Sequence, residues 1–242
     1  MFDPKKFTTP TAKPLPVVLL LDVSYSMSGD KIDNLNKAVE DMLDTFAQEE
    51  KMETEILVSV ITFGSQVELH IPYTKASQVQ WQGLQTDGMT SMGAALKMAK
   101  AMIENKETTP SRAYRPTIVL VSDGQPNDSW EKPLEDFISE GRSSKCDRMA
   151  MAIGRDADET VLKRFIDGMP HDLFYAENAG QLHEFFQRVT MSVTMRTHST
   201  NPNAIPALPA PSVIDLDRGK VNPSAGGNPP TSTDDEQDEG YW

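Results

Sequence analysis

The chain has 242 residues, with 23 Lys and Arg against 36 Asp and Glu, a formal net charge of −13 and a pI near 4.7. That length accommodates one sizeable core plus a tail, and the acidity argues against general nucleic-acid binding, which needs basic surface to meet phosphate. A single cysteine, Cys146, excludes an intramolecular disulfide and disfavours a cysteine-based zinc site, so the thiol reads as a bystander.

Residues 1–14 form an N-terminal extension without an apolar run of signal-peptide length, and no stretch approaches the roughly 20 apolar residues that cross a bilayer. The expectation is a cytoplasmic protein that does not engage membranes. Pro16 to Leu21 reads as a fully buried strand, followed by Ile32, Leu35, Val39, Met42, Leu43 and Phe46 at helical spacing. Glu55 to Phe63, rich in Ile and Val, predicts a second strand. Gln66 to Ile71 predicts its antiparallel edge partner, with Pro72 ending it. Gly93 to Ile103 predicts a helix, and Thr117 to Val121 a strand ending at Ser-Asp-Gly. Lys132 to Glu140 predicts a helix, Asp147 to Ile153 a strand, Glu159 to Ile166 a helix, Leu173 to Ala176 a strand and Gln181 to Met195 a last helix.

Alternation of this kind predicts an α/β fold: a doubly wound, mostly parallel sheet with one antiparallel edge strand and helices on both faces, over residues 15–198. Residues 199–242 change character. From Asn201 onward there are seven prolines, seven acids and two bases, and the end reads DDEQDEGYW. This composition predicts a disordered Pro-rich linker and acidic tail. Its final segment, Asp234 to Trp242, is open to three readings: a solubilising tail, a docking peptide for another protein, or a competing carboxylate for the site described next.

In LLLDVSYSMSG, Asp22, Ser24 and Ser26 leave the first strand at alternate positions, so in extended chain their side chains face one way. Ligands of open parallel sheets bind at the carboxyl ends of strands, beside the reversal of strand order. Asp123, straight after the fourth strand, and Thr90, in the loop opening the second helix, belong to the same edge. Five oxygen donors from three loops make a hard-cation site. Each has a bland alternative: Asp-Gly at 123 and 124 is an ordinary turn, and Thr90 or Ser91 suits a helix N-cap.

Taken together, DVSYSMSG, GMTSMGAAL and VLVSDGQPND resemble the metal-ion-dependent adhesion site of von Willebrand factor A (VWA) domains, over residues 15–195. The resemblance implies metal ligation by Asp22, Ser24, Ser26, Thr90 and Asp123. MTSMG lacks the second Gly that many relatives place before the Thr, which keeps the hydroxyl and leaves the loop around Met89 open. MAIGRDADETVLKRF and FFQRVTMSVTMRTHS further resemble bacterial TerY-type proteins associated with tellurite resistance. That resemblance implies a stress-response or defence assembly with a PP2C-type phosphatase and a protein kinase as partners.

Few carboxylates and several hydroxyls suit Mg2+, with Mn2+ as a substitute, and leave the ion incompletely neutralised. The expected function is a metal-dependent adaptor or scaffold that captures an Asp or Glu of a partner. The alternatives are a structural metal with the partner surface elsewhere, and a metal-dependent hydrolase or phosphatase. Against enzymes, position 24 is Ser where a dehalogenase-type phosphatase wants a second Asp, and no G-x-S-x-G or phosphate-loop motif is present. His70, His171, His183 and His198 fall away from the carboxyl-end loops and read as surface or structural. Met92, Ala95, Ala99 and Met102 read as a core stripe, while Trp81 and Trp130 stay open between core and partner surface.

Overall fold

The computed structural model describes residues 12–49, 54–123, 125–155 and 157–206. Among these described residues six strands form one sheet: β1 (Lys13–Asp22), β2 (Thr54–Phe63), β3 (Val67–Lys75), β4 (Thr117–Ser122), β5 (Asp147–Ile153) and β6 (Phe174–Ala176). Five α-helices flank it: α1 (Asp30–Glu49), α2 (Met92–Glu104), α3 (Glu131–Ser139), α4 (Glu159–Phe165) and α5 (Ala179–Thr197). The strand order is β3-β2-β1-β4-β5-β6, parallel throughout except for the antiparallel β2–β3 pair. The doubly wound reading therefore holds, with its antiparallel edge.

β1 lies between β2 and β4 and is covered on both faces, which is why it reads as an unbroken apolar run rather than an alternation. Its odd residues, Leu15, Val17, Leu19 and Leu21, pack with α1 and α5, among them Leu35, Val39, Phe46, Phe185 and Phe186. Val18 and Leu20 point the other way, into a core with α2, α3 and α4 that includes Leu96, Phe137 and Phe165. The methionine stripe of α2 behaves as expected: Met92, Ala95 and Ala99 are buried there, with Met98, Met102 and Trp130 packed alongside. Trp81 packs on the opposite core. Burying chains of this size contributes about 1.5–3 kcal/mol each.

Two expectations about elements need correction. β1 begins at Lys13, inside the stretch taken as an N-terminal extension. Pro72 does not end the edge strand; β3 runs on to Lys75. Register shifts either side of Val60 give β3 extra residues against β2, and the Ser59 hydroxyl bonds Ile71 O at 2.9 Å beside the irregularity. On an edge strand a bulge absorbs the missing N–H of proline. The expectation of disorder at residues 207–242 lies outside the described residues.

Within residues 199–206, Pro202 and Asn203 are tied back to the core. Arg196, fully buried on α5, donates from Nε to Pro202 O at 2.7 Å, from Nη1 to Thr117 Oγ1 at 2.7 Å, and from Nη2 to Arg115 O. Asn203 Oδ1 accepts from Arg115 N at 2.8 Å. Nearby, His171 Nε2 and Asp147 Oδ1 lie 3.1 Å apart, both withdrawn from water. Burial lowers the Arg196 guanidinium to about 10, which leaves it charged at neutral pH. The amino end of β4 is thus tied to α5 at the edge opposite the candidate site, with His171 in a structural role at the start of β5. Among the described residues no helix is long and apolar enough to cross a membrane.

Replacing Arg196 by Met strands the carbonyls of Arg115 and Pro202 and the Thr117 hydroxyl in an apolar setting. We expect a loss of about 3 kcal/mol in urea unfolding, against less than about 0.5 kcal/mol for exposed Lys132→Ala on α3.

Candidate metal centre

The strand order reverses between β1 and β4, so their carboxyl ends lie side by side, Leu21 opposite Val121. Asp22 ends β1, and Asp123 follows β4. The Asp22 carboxylate is fully buried: Oδ1 accepts from Ser24 N–H at 2.8 Å and Oδ2 from Ser122 Oγ at 2.5 Å. Burial pushes its pKa from 3.8 up to about 6; the hydrogen bonds from Ser122 and Ser24 pull it down, and the Asp123 charge adds to the rise. Ser24 Oγ and Ser26 Oγ share a hydrogen bond at 2.9 Å, so their hydroxyls are adjacent. The turn that places them runs through a short 3-10 segment, Tyr25–Met27, whose Met27 is anchored in the core.

Thr90 reaches this edge through its backbone. Asp87 N–H donates to Val23 O at 2.6 Å and Tyr25 N–H to Gly88 O at 2.9 Å, so the first and second loops are laced together. Gly88 has φ +61°, and a Cβ there would sit 1.5 Å from Ser65 Oγ, so only glycine fits. That turn settles the geometry around Met89, whose side chain is 59 % exposed while Thr90 is buried. Among the described residues no direct bond joins the Thr90 hydroxyl to the other four candidate side chains.

Sequence reasoning missed the third loop's second task. Asn127 Oδ1 accepts from Thr90 N–H at 2.8 Å, and Asn127 N–H donates to Thr90 O at 2.9 Å. Asp128 accepts from Gly93 N–H at 2.9 Å and Ala94 N–H at 2.8 Å. The helix α2 is therefore capped from 35 residues away, and the Ser91 side chain makes no capping bond. Ser91 stands at the N-cap position of α2 but leaves the capping bonds to Asp128. The dipeptide Asn-Asp after Gln-Pro in the same loop was the available signal, but its target lies outside any local window.

The donors fit a hard divalent cation. All five candidates are oxygen ligands, and among the described residues no group of three His, Cys, Asp or Glu side chains forms a softer or more acidic alternative. Asp22 is a buried carboxylate beside a second carboxylate, held by hydroxyl and amide groups only. The cation bonded here is Lys31 of α1, whose Nζ lies 3.5 Å from Asp123 Oδ2. A bound Mg2+ or Mn2+ held by Asp22, Ser24, Ser26, Thr90 and Asp123 would neutralise that buried charge. Cys146, by contrast, lies in the core with its thiol pushed up to about 12 by burial, far from any reactive state.

A model of the von Willebrand factor type A domain matches residues 17–188. Among solved structures, a von Willebrand factor type A protein from Catenulispora acidiphila is 21 % identical, TM-score 0.59, covering 76 % of this chain and 43 % of its own. The open form of the pilus adhesin SpaC from Lactobacillus rhamnosus GG is 16 % identical, TM-score 0.63, covering 77 % of this chain and 30 % of its own. Proximal thread matrix protein 1 from the mussel byssus, with a zinc-occupied MIDAS motif, is 17 % identical, TM-score 0.54, covering 76 % and 46 %. This chain thus spans less than half of each of these proteins, and at such identities the likeness is one of fold. No curated protein matches it significantly in sequence.

Two outcomes follow from the geometry. Asp128→Ala removes both capping bonds and should cost about 1–2 kcal/mol in urea unfolding, whereas Ser91→Ala should cost little. Without a divalent cation, the raised Asp22 pKa favours the protonated folded form; the stability it contributes is present below pH 4 and is lost as pH rises through 6. A displacement of that size corresponds to about 2–3 kcal/mol. In EDTA, Asp22→Asn should therefore gain stability over wild type as pH goes from 5 to 8. Parallel profiles would trace the charge cost to another group.

Proposed function

The chain belongs to the von Willebrand factor type A family, and from that premise we propose that it is a divalent-metal-dependent protein-interaction module rather than an enzyme. The observation that carries this is the buried Asp22 carboxylate beside Asp123, with the Ser122, Ser24 and Ser26 hydroxyls close by, at the switch point of the sheet. A Mg2+ or Mn2+ there supplies a positive charge that two carboxylates and neutral hydroxyls leave available to an incoming carboxylate. The zinc-occupied motif of the byssus protein supports the same fold hosting a divalent ion at its corresponding motif.

The chain's own groups do the positioning. Ser122 and the Ser24 amide orient Asp22; the Gly88 turn and Asn127 hold the Thr90 loop; Asp128 ties that loop to α2. The partner delivers an Asp or Glu into the cavity of about 450 Å3 bounded by Ser26, Lys31, Asp123, Gln125, Gly154 and Arg155. Within the family we assign the chain to the TerY-type proteins on the stretches MAIGRDADETVLKRF and FFQRVTMSVTMRTHS. Its proposed setting is the cytoplasm of a bacterium, in a stress-response or defence assembly with a PP2C-type phosphatase and a protein kinase.

The test is a pull-down from the native host with Mg2+ or EDTA, using wild type and Asp22→Ala after circular dichroism shows the variant folded. A partner retained only by wild type with Mg2+ is the expected result. The same partners under all four conditions would make any metal structural and move the binding surface to the helices.

A further inference from the structure

Lys31 is the feature of the site that the metal-binding reading leaves without a purpose. It stands in the first turn of α1, seven residues past Ser24, and its ammonium is 3.5 Å from Asp123 Oδ2. At that distance it is a charge contact rather than a well-formed hydrogen bond. A cation so close to a candidate metal ligand opposes the arrival of a divalent ion. The approach is built into the backbone: Gly154, with φ +87° at the end of β5, lies under the lysine, and a Cβ there would stand 3.3 Å from Nζ and 3.4 Å from Cε.

Lys31 also has somewhere to go. It forms the wall between two neighbouring cavities. One is the cavity at the metal loops, about 450 Å3, with Asp123 and Arg155. The other, about 80 Å3, is bounded by Asp30, Asn34, Glu177 and Asn178. The side chain is 36 % exposed and the Asp123 side chain 12 %, so the ammonium meets the carboxylate from the solvent side. Arg155, held by two bonds of 3.0 Å to Glu177, supplies a second positive charge on the rim. Two cations thus flank this opening in a chain of net charge −13, each paired with one acid, Lys31 with Asp123 and Arg155 with Glu177.

We infer that Lys31 is the built-in rival of the divalent metal for Asp123 and, once displaced, anchors a second carboxylate of the partner beside Arg155. The inference rests on the metal-bridged reading above and sharpens the partner to a peptide with two neighbouring acids. Because the second acid draws Lys31 off Asp123, ligand and metal bind with positive coupling, and each strengthens the other by the same factor.

The experiment is calorimetric titration of MgCl2 alone, then of two hexapeptides with Mg2+ present, one bearing Asp-Asp and one Asp-Asn. Lys31→Met should bind Mg2+ about fivefold more tightly than wild type, as for removal of a partly exposed charge contact. The gap should narrow at 0.5 M NaCl, and Lys31→Arg should behave as wild type. Wild type should prefer Asp-Asp, and Lys31→Met should lose that preference while still binding Asp-Asn. Unchanged or weaker Mg2+ affinity in folded Lys31→Met overturns the rivalry. Equal binding of both peptides by wild type overturns the second-carboxylate anchor and leaves the metal-bridged reading standing. If wild type binds Mg2+ but neither peptide, the metal-bridged reading itself fails along with the anchor, and the rivalry is decided by the Mg2+ titration alone.

Discussion

A carboxylate withdrawn completely from water at the end of the central strand is the constraint around which this molecule is organised. Asp22 is where it is because β1 is covered by helices on both faces and flanked by β2 and β4, so the strand's last residue has no route to solvent. Leaving that charge there is costly unless neighbours answer it. Ser122, the Ser24 amide and the surrounding loops do so in part, and those loops are laced to one another by backbone bonds from Val23, Tyr25 and Thr90. The fold thus holds an incompletely balanced negative site in fixed geometry, which is the physical requirement for taking up a cation.

Much of this was legible in the amino-acid order. β1 and β4 announce themselves as unbroken apolar runs because both faces are covered, and the step from period two to helical spacing marks α1. Asp22, Ser24 and Ser26 stand out because two-residue spacing at a strand end has few other uses. The structure brings Ser24 and Ser26 together, places Asp22 beside Asp123 and carries Thr90 to the same edge. What escaped notice acts at long range. Asn127 and Asp128 serve residues 34 to 37 positions away, and Lys31 meets Asp123 across 92 positions. No local window links such pairs. Pro72 misled for a different reason: the rule that proline ends a strand assumes a regular ladder, and an edge bulge suspends it. The meeting of Arg196, Thr117, Asp147 and His171 in one buried polar group was also invisible, since it joins distant segments that only tertiary packing brings together.

The distribution of charge repays attention beside the total. A net −13 would by itself repel an acidic partner, and screening at physiological salt limits that repulsion to about 8 Å. Within that radius the rim charges matter more than the sum. Lys31 and Arg155 sit at the opening, paired with Asp123 and Glu177, while helix faces beyond carry acids such as Asp41 and Glu135.

The Arg196 clamp has a mechanical side. It pins residues 202 and 203 beside the start of β4, and Tyr114 is tied to Pro14 at the start of β1, so both ends of the described chain leave from the pole opposite the metal loops. β1 is ten residues long, which separates the two poles by about 33 Å. Were a partner held at Asp22, tension between it and a pull applied before residue 13 would run along β1. It loads the β1 ladders to β2 and β4 in shear, where rows of hydrogen bonds must yield together rather than one after another. Such a load would be borne by the ladders without first parting the loops around Asp22.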